Sequence, residues 1–234
     1  MKFISSFLNS IIDFIYPPVC FVCNQTIMRN DLPVCRSCWE TFTVVDSSHP
    51  TWIEIKSKFL NRGNVKDLIS CYLFESEGKL QEVIHLLKYK EIKSVGIRFG
   101  LDLGKVILSS SQFASADYLV PVPLHRKKKR ERGYNQSELL CKGIKQIVPI
   151  NFIPDFLKRI RYTQSQTNLN MVERIANVED AFDVNKSYKT FVQGKSFIIV
   201  DDVITTGSTI DACAARLNEY GAASVYAASV ALAK

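Results

Sequence analysis

Residues 197–209 read FIIVDDVITTGST, and this stretch decides the fold. Its apolar start predicts a buried strand, after which Asp201 and Asp202 lead into a turn around Gly207 that opens a helix. The free backbone N–H groups of such a turn form an anion site suited to phosphate, and glycine lets the backbone approach a ligand closely. Hydroxyl donors come from four side chains of the turn: Thr205, Thr206, Ser208 and Thr209.

The paired carboxylates of Asp201 and Asp202 limit the chemical class of the ligand further. They would repel a bare phosphate, so they must bind another part of the same ligand, either vicinal sugar hydroxyls or a Mg²⁺ ion. The stretch therefore predicts a sugar phosphate site. The alternative is an ordinary helix with Ser208 or Thr209 as its N-cap, which explains the hydroxyl groups but not the acid pair.

The segments around this stretch alternate between strand and helix patterns. Strands are predicted over residues 68–75, 117–122, 150–153, 195–200 and 224–232. Helices are predicted over residues 77–90, 91–110, 135–147 and 208–220, while residues 158–180 read as a loop or lid. Residues 46–67 read as a polar stretch. This order predicts an α/β fold with a mainly parallel sheet flanked by helices, whose ligands bind at the carboxyl ends of the strands.

Four of the seven cysteines form two C-x-x-C pairs, separated by eleven residues: Cys20, Cys23, Cys35 and Cys38. Four thiolates on two tight turns suit a tetrahedral zinc ion, and a closed site of this kind is structural. A redox motif would predict one pair rather than two. The other three cysteines are expected to be small buried hydrophobic residues in a reducing compartment: Cys71, Cys141 and Cys213.

The amino terminus resembles an export signal only superficially. Asn9, Ser10 and Asp13 interrupt its apolar run, and no small-residue cleavage site follows. The run is also too short to span a bilayer. Its apolar residues recur at helical spacing, so residues 1–15 are predicted to form an amphipathic helix that docks on the rest of a cytoplasmic chain. Peripheral contact with the inner face of the membrane is the alternative.

Composition and charge limit the class of protein and indicate the kind of binding partner. With 234 residues, 47% hydrophobic and 23% charged, the chain is globular, and collagen-like or disordered classes are excluded. The net charge of +7 is concentrated in residues 126–132, where six of seven positions are cationic. This run predicts an anionic partner, with a solvated loop as the alternative.

Several motifs together resemble known families. The run VDDVITTGST resembles the phosphoribosyl pyrophosphate (PRPP) binding motif of type I phosphoribosyltransferases. Four other stretches resemble signatures of the ComF family: YPPVCFVCN, CRSCW, VPVPLHRKKKRERGYNQSELL and RIRYTQSQTNLNMVERIANVEDAF. In the third of them, Tyr134 stands where Phe is usual. The resemblance implies a type I phosphoribosyltransferase fold over residues 60–234, behind a small four-cysteine zinc module over residues 16–45. It also implies a role in DNA uptake during natural transformation.

The resemblance implies roles for individual residues. Asp201 and Asp202 would hold the ribose hydroxyls, directly or through Mg²⁺, and residues 205–209 would wrap the 5′-phosphate. The pyrophosphate loop would be Pro121, Val122, Pro123, Leu124, His125 and Arg126, with a cis peptide bond before one of its prolines as one way to turn N–H groups inward. Supporting charges would come from Arg126, Lys127, Arg130 and Arg132. A hood closing over the ligand would contain Arg161, Gln166, Arg174 and Asn177.

The resemblance leaves catalysis open. Some purine-type relatives carry an acid where this chain has Thr205, and His125 is a lone histidine, so no acceptor is indicated. One hypothesis is an active Mg²⁺-dependent phosphoribosyltransferase on an unknown acceptor, unrelated to DNA uptake. Another is a competence protein that handles single-stranded DNA and other competence proteins, with Tyr134, Phe152 and Tyr162 as stacking aromatics. A PRPP-sensing regulator would need a DNA-reading domain, for which the zinc module is too small.

Overall fold

The computed structural model describes residues 16–28, 32–160 and 181–233. The strands in these ranges are β1 (Asp67–Phe74), β2 (Tyr118–Pro121), β3 (Asn151–Phe152), β4 (Leu157–Arg159), β5 (Phe182–Val184), β6 (Ser196–Ile204) and β7 (Ser224–Ala233). The α-helices are α1 (Arg36–Trp39), α2 (Pro50–Arg62), α3 (Lys79–Tyr89), α4 (Lys93–Leu108), α5 (Ser111–Ala114), α6 (Arg126–Arg132), α7 (Gln136–Ile144) and α8 (Ser208–Glu219). A 3₁₀ helix covers Lys186–Phe191.

Five strands form one sheet in the order β1-β7-β6-β2-β3, and every neighbouring pair is parallel. Its central strands are apolar on both faces, as expected for a parallel sheet covered on both sides by helices. The strands β4 and β5 pair separately as an antiparallel hairpin. Because β2 and β6 are parallel neighbours, with Pro121 opposite Val200, their carboxyl ends lie side by side.

Two apolar clusters cover the two faces of the sheet. The first contains the buried side chains of α3, α4 and α7, with Phe99, Leu103 and Leu140 fully enclosed. The second contains those of α2 and α8 together with the β4–β5 hairpin. Residues along β6 alternate between the two, with Ile198 in the first and Ile199 in the second, because successive strand side chains point to opposite faces.

The segment after the cysteine pairs is attached to the main sheet. The amide of Val45 donates to the Cys71 carbonyl at 2.9 Å, and the amide of Leu73 donates to the Thr43 carbonyl at 2.9 Å. This antiparallel contact covers part of the exposed edge of β1, which protects it from pairing with other chains. The cysteine module therefore packs on the same core as α3, α4 and α7.

The helices α4 and α7 cross at two glycines. A Cβ atom built on Gly100 would lie 2.2 Å from the Leu140 carbonyl oxygen, and one built on Gly143 would lie 2.3 Å from the Ile97 carbonyl oxygen. The two backbones are in direct contact, so no side chain fits at either position. This crossing places α7, whose first turn faces the acid pair of β6, against the long helix α4.

The sheet and the helices that the pattern predicted are confirmed, with boundaries that differ by at most four residues. Three expectations were wrong. Residues 50–62 of the polar stretch form α2, and Lys158 and Arg159 of the expected loop belong to β4. The strand β6 does not end before the acid pair but continues through it to Ile204.

None of the helices in the described ranges is both long and apolar enough to cross a bilayer. The predicted helix over residues 1–15 lies outside the described residues. The three cysteines outside the paired motif are buried, as expected: Cys71, Cys141 and Cys213.

Candidate functional site

Asp201 lies near the carboxyl end of β6 and faces the first turn of α7. Its Oδ1 accepts hydrogen bonds from the Ser137 hydroxyl at 3.2 Å and from the Asp202 amide at 2.9 Å. Desolvation by the surrounding protein, followed by the charge of Asp202, raises the pKa of Asp201 to about 7. A carboxyl group in this state favours a partner that supplies either a hydrogen bond or positive charge.

Asp202 is held by an ion pair that the sequence did not reveal. Its Oδ2 lies 2.9 Å from the ammonium nitrogen of Lys88 in α3, and its Oδ1 accepts from the Val203 amide at 2.7 Å. Both charged side chains are mostly buried, at 25% exposed for Lys88 and 12% for Asp202. Nothing in the local pattern around Lys88 distinguishes it from other helix lysines, because its partner is distant in the chain.

The turn after β6, residues 205–207, leads directly into helix α8. Gly207 is the N-cap of α8 in the left-handed conformation, with φ 73°, and as a glycine it has no side chain to cap the helix. The alternative of Ser208 or Thr209 as N-cap is therefore wrong. The Thr206 and Ser208 hydroxyls lie 3.0 Å apart, and Thr205 is exposed. The Ser208 amide donates to the Thr206 hydroxyl at 3.5 Å, and the first N–H groups of a helix lack partners within the helix itself.

Gly207 is constrained from behind as well as by its backbone angle. A Cβ atom at this position would lie 2.0 Å from Cε2 of Phe59, a buried residue of α2. The unexpected helix α2 therefore packs against the turn at Gly207 from its protein side. The apolar residues Trp52, Ile55 and Phe59 recur at helical spacing after Pro50, a signal that could have revealed this helix.

The loop after β2 lies beside this turn, because β2 and β6 are neighbours. The Val122 amide donates to the Val200 carbonyl at 2.9 Å, and the Asn135 side-chain amide donates to the Val122 carbonyl at 2.9 Å. Every peptide bond in the described ranges is trans, so the expected cis bond before Pro121 or Pro123 is absent there. Asn135 also caps α7, a role that Glu138 three residues later could have signalled.

The basic run 126–132 forms helix α6 instead of the alternative solvated loop. His125 caps it by accepting from the Lys127 amide at 3.2 Å, so this histidine has a structural role. Lys128 and Arg132 are partly buried on one face, whereas Arg126, Lys127 and Arg130 are exposed. The helix therefore has an inner, partly buried cationic face and an outer, exposed one. Of the four expected supporting charges, only Arg132 lies on the inner face.

Several residues expected in the site lie outside the described ranges or are packed in the core. The hood residues Arg161, Gln166, Arg174 and Asn177 lie outside the described residues, as does Tyr162. Tyr134 is 8% exposed and donates its hydroxyl hydrogen to the Leu87 carbonyl, so it cannot stack on a base, and that expectation was wrong. Phe152 is packed against the first core cluster.

The paired cysteines form one compact cluster. The sulfur atoms of Cys20, Cys23, Cys35 and Cys38 all lie within 4.8 Å of one another. Cys23 and Cys35 are 3.7 Å apart, close to the roughly 3.8 Å expected between thiolates around tetrahedral zinc with Zn–S bonds of about 2.3 Å. The Cys20 sulfur also accepts from the Cys35 amide at 3.3 Å. The donor set fits a structural zinc ion that these four residues would hold.

The pKa values of the Cys35 and Cys38 thiols are shifted in opposite directions. Hydrogen bonds, the largest from the Ser37 hydroxyl, lower the pKa of Cys35 to about 6. Burial and the neighbouring thiols raise the pKa of Cys38 to about 12. Four thiols this close cannot all ionise together without a cation among them, and a zinc ion held by the four cysteines would supply that charge.

Replacing Cys38 with alanine is expected to remove most of the bound zinc and to lower the melting temperature. The reason is that the module is joined to α4 through Trp39, whose Nε1 donates to Asp102 at 2.8 Å, and the metal maintains that docking surface. Metal content per chain and thermal unfolding check this. Cys213→Ala, in the core beyond the cluster, should keep its zinc; equal zinc in both variants would contradict the assignment.

Comparison with known proteins gives two family matches. Residues 146–234 match the phosphoribosyl transferase domain, and residues 11–50 match the double zinc ribbon domain. The sheet order and these matches identify a type I phosphoribosyltransferase fold with an amino-terminal four-cysteine cluster. The domain boundaries at 1–15, 16–45 and 60–234 stay predictions.

Curated relatives carry related names. DNA utilization protein YhgH of Escherichia coli is 32% identical over 149 residues, which are 62% of this chain and 64% of that protein. Competence protein F of Haemophilus influenzae is 33% identical over 47% of this chain and 48% of that protein. Competence protein ComFC of Bacillus subtilis is 25% identical over 88% of this chain and 80% of that protein. The match thus spans just under two thirds of the YhgH length.

Solved structures show a weak likeness. The glutamine PRPP amidotransferase of B. subtilis, complexed with ADP and GMP, has a TM-score of 0.38 and 21% identity, over 58% of this chain and 26% of that chain. This likeness adds nothing to the fold assignment, which rests on the sheet and the family match. The chain is similar to YhgH, competence protein F and ComFC, and it combines a phosphoribosyltransferase fold with an amino-terminal match to the double zinc ribbon domain.

Proposed function

We propose that this protein binds PRPP with Mg²⁺ at the turn between β6 and α8 and acts in DNA uptake during natural transformation. The observation that carries the proposal is that two carboxylates near the end of β6 lie close in the chain to the amino-terminal end of α8, which begins at a glycine N-cap. Few ligands carry both a group that binds carboxylates and an anionic group that binds a helix amino terminus. A sugar carrying a phosphate and vicinal hydroxyls is one of them.

The proposed roles follow the geometry. Asp201 and Asp202 bind the ribose hydroxyls or the Mg²⁺ ion, and the turn of Thr205, Thr206, Gly207, Ser208 and Thr209 binds the 5′-phosphate. The loop Pro121–Arg126 lies beside them and takes the pyrophosphate end. Carboxylate oxygens are the ligands that Mg²⁺ prefers, and the ion, when bound, neutralises charge on the pyrophosphate.

The DNA part of the proposal has two supports. The names of the relatives YhgH, competence protein F and ComFC refer to DNA utilization and competence. The outer face of α6 exposes the cationic side chains of Arg126, Lys127 and Arg130. We place this activity on the cytoplasmic side, where single strands and other competence proteins are encountered.

Asp202→Asn is expected to weaken PRPP binding in the presence of Mg²⁺ roughly 10- to 100-fold, because it removes a charged acceptor from the ligand. Calorimetric titration measures this directly. Glu219→Gln, an exposed acid on α8, is the matched control and should bind as the wild type does. In the source organism, the Asp202→Asn allele should lower transformation frequency. A wild-type protein that gives no heat with PRPP and Mg²⁺ would overturn the proposal.

Neutralising Arg126, Lys127 and Arg130 together is expected to reduce the salt dependence of single-strand binding. Three lost phosphate contacts should lower the slope of log K against log salt by roughly 2, at about 0.7 per contact. Binding of labelled oligonucleotides at several salt concentrations measures the slope. Neutralising three lysines outside α6 together provides the control: Lys105 in α4, Lys142 in α7 and Lys145 directly after α7. An unchanged slope in the α6 variant would remove α6 from the DNA surface.

A second candidate function is phosphoribosyl transfer to an acceptor unrelated to DNA uptake. It is favoured by a cleft of about 630 Å³ beside the loop after β2, between α7 and the β4–β5 hairpin. Leu124, Asn135, Pro154 and Arg159 are among its lining residues. Pyrophosphate release from PRPP on a panel of acceptors would support this function, and PRPP binding without turnover on the panel would count against it.

A further inference from the structure

The net positive charge of the chain is carried by two short segments. Residues 85–93 and 126–132 contain nine of its 30 lysines and arginines but only two of its 23 acids. Their net charge is therefore +7, which is the value for the whole chain, so the remaining residues are balanced. A net charge confined in this way indicates a polyanionic partner rather than a general property of the protein.

The fold brings these two segments together. The guanidinium carbon of Arg132, at the end of α6, lies 5.2 Å from the centre of the Tyr89 ring at the end of α3. A Cβ atom built on Gly133 would lie 3.8 Å from Oε1 of Glu91. Segments that are distant in the chain therefore form one continuous basic region, residues 85–93 and 126–132, which we call the α3–α6 surface.

Neighbouring acids reduce this charge only in part. The Lys88 ammonium group lies 2.9 Å from Asp202, and the Lys129 ammonium group lies 2.9 Å from Glu138. Counting both acids lowers the net charge of the α3–α6 surface from +7 to +5.

Most of the cations on the α3–α6 surface face solvent. Six of the nine are exposed: Lys90, Lys93, Arg126, Lys127, Lys129 and Arg130. The helix α6 alone is about 10 Å long, so one small anion cannot contact cations spread over the whole surface. The charge distribution therefore fits an extended polyanion.

An aromatic pair lies within the same surface. The centres of the His85 and Tyr89 rings are 4.5 Å apart, with 39° between their planes. Tyr89 is 59% exposed, and His85 is exposed as well. Because His85 and Arg132 both contact the Tyr89 ring, its orientation is constrained while more than half of the residue stays accessible.

The aromatic pair decides which kind of polyanion fits best. Proteins that bind single-stranded nucleic acids combine a cationic surface, which contacts the phosphates, with aromatic rings on which the bases stack. An arginine beside the ring adds a cation–π contribution. A lipid surface supplies negative charge but no flat bases to stack. Tyr89 therefore has the position on the basic surface that the buried Tyr134 cannot have.

We propose that the α3–α6 surface binds single-stranded DNA, with His85 and Tyr89 stacking on bases while the surrounding lysines and arginines contact the phosphates. This inference rests on the DNA part of the proposed function. It extends the contact surface from the outer face of α6 to the end of α3, and it adds base stacking to the electrostatic attraction.

The test compares two labelled strands of equal length on the full chain: oligo(dT), and an abasic strand with the same phosphates but no bases. The wild type is expected to bind oligo(dT) roughly tenfold more tightly than the abasic strand. Tyr89→Leu should lose this preference, with unchanged affinity for the abasic strand and an unchanged dependence on salt, since no cation is removed. Tyr89→Phe keeps the ring and should bind both strands as the wild type does.

A matched control and a charge variant complete the test. Phe191→Leu removes a similarly exposed ring, at 57%, from the 3₁₀ helix outside the surface and should keep the preference for oligo(dT). Neutralising Lys90 and Lys93 together should lower the slope of log K against log salt for both strands, by about 0.7 per lysine. The preference for oligo(dT) should remain in this variant, because both rings are intact.

The outcomes separate the two proposals. If the wild type binds neither strand, the DNA part of the proposed function fails. If it binds both, but shows no preference for bases or keeps the preference in Tyr89→Leu, the DNA role stands and the stacking site is overturned. Loss of binding to phosphatidylglycerol vesicles in Tyr89→Leu, with unchanged oligonucleotide binding, would assign the surface to a membrane instead. A preference lost in Tyr89→Leu alone, with thermal unfolding as in the wild type, would support the stacking site.

Discussion

Gly143→Ala is expected to lower the free energy of unfolding by about 3 kcal/mol, near the upper end for an overpacked core. The added methyl group would lie 2.3 Å from the Ile97 carbonyl oxygen and 2.7 Å from the Cα of Gly100. Both obstacles are backbone atoms of α4, so relief requires the two helices to separate. The gain of about 1 kcal/mol in helix propensity from replacing glycine does not offset this cost.

Thermal unfolding measures the effect. For a chain of this size, a loss of about 3 kcal/mol corresponds to a fall of roughly 6–12 °C in melting temperature. Lys142→Ala changes the neighbouring residue on the exposed face of α7 and should stay within about 0.5 kcal/mol of the wild type. Gly143→Ala should also weaken PRPP binding, because α7 positions Ser137 against Asp201. An unchanged melting temperature would show that the crossing is looser than described.

Gly207→Ala is expected to weaken PRPP binding by roughly 100-fold, or about 2.8 kcal/mol. Alanine at φ 73° carries a cost of roughly 1–2 kcal/mol in the left-handed region. Its Cβ would in addition lie 2.0 Å from Cε2 and 2.2 Å from Cζ of Phe59. Because Phe59 is buried in the second core cluster, the turn must move, and its N–H groups lose their common direction toward the phosphate.

Gly194→Ala is the matched control for this variant. Gly194 has nearly the same backbone angle, φ 71°, but a Cβ there would meet nothing within 4 Å. It should therefore show the backbone cost in thermal unfolding and bind PRPP as the wild type does. If both variants bind PRPP equally well, the contact with Phe59 does not shape the turn.

Most of the sheet was predictable because its strands are short apolar runs bounded by turn residues. The strand before Asp201 and the helix after Gly207 follow from residues 197–209 alone. The helix α2 was missed although Pro50 and the spacing of Trp52, Ile55 and Phe59 indicate it. The helix α6 could not be recognised by hydrophobic periodicity, since residues 126–132 contain no apolar residue. Its caps, His125 and Gly133, were the signal that remained.

The candidate site was predictable to the extent that it is continuous in the chain. The acid pair, the hydroxyl-rich turn and the four cysteines could be read directly, because each motif needs particular residue types at a fixed spacing. The supporting residues could not. Lys88, Ser137 and Phe59 act on the motif from three different helices, and their own local patterns are those of ordinary helix residues.

The sequence by itself determined the class of fold and the cysteine cluster, since local spacing decides strands and metal ligands, and for the turn it gave a prediction of the ligand. Only the tertiary structure decided how the basic run is divided. Helical geometry turns Lys128 and Arg132 inward and leaves Arg126, Lys127 and Arg130 exposed. It also decided that Lys88 neutralises Asp202, because an ion pair depends on the packing of α3 against β6, which no local pattern specifies.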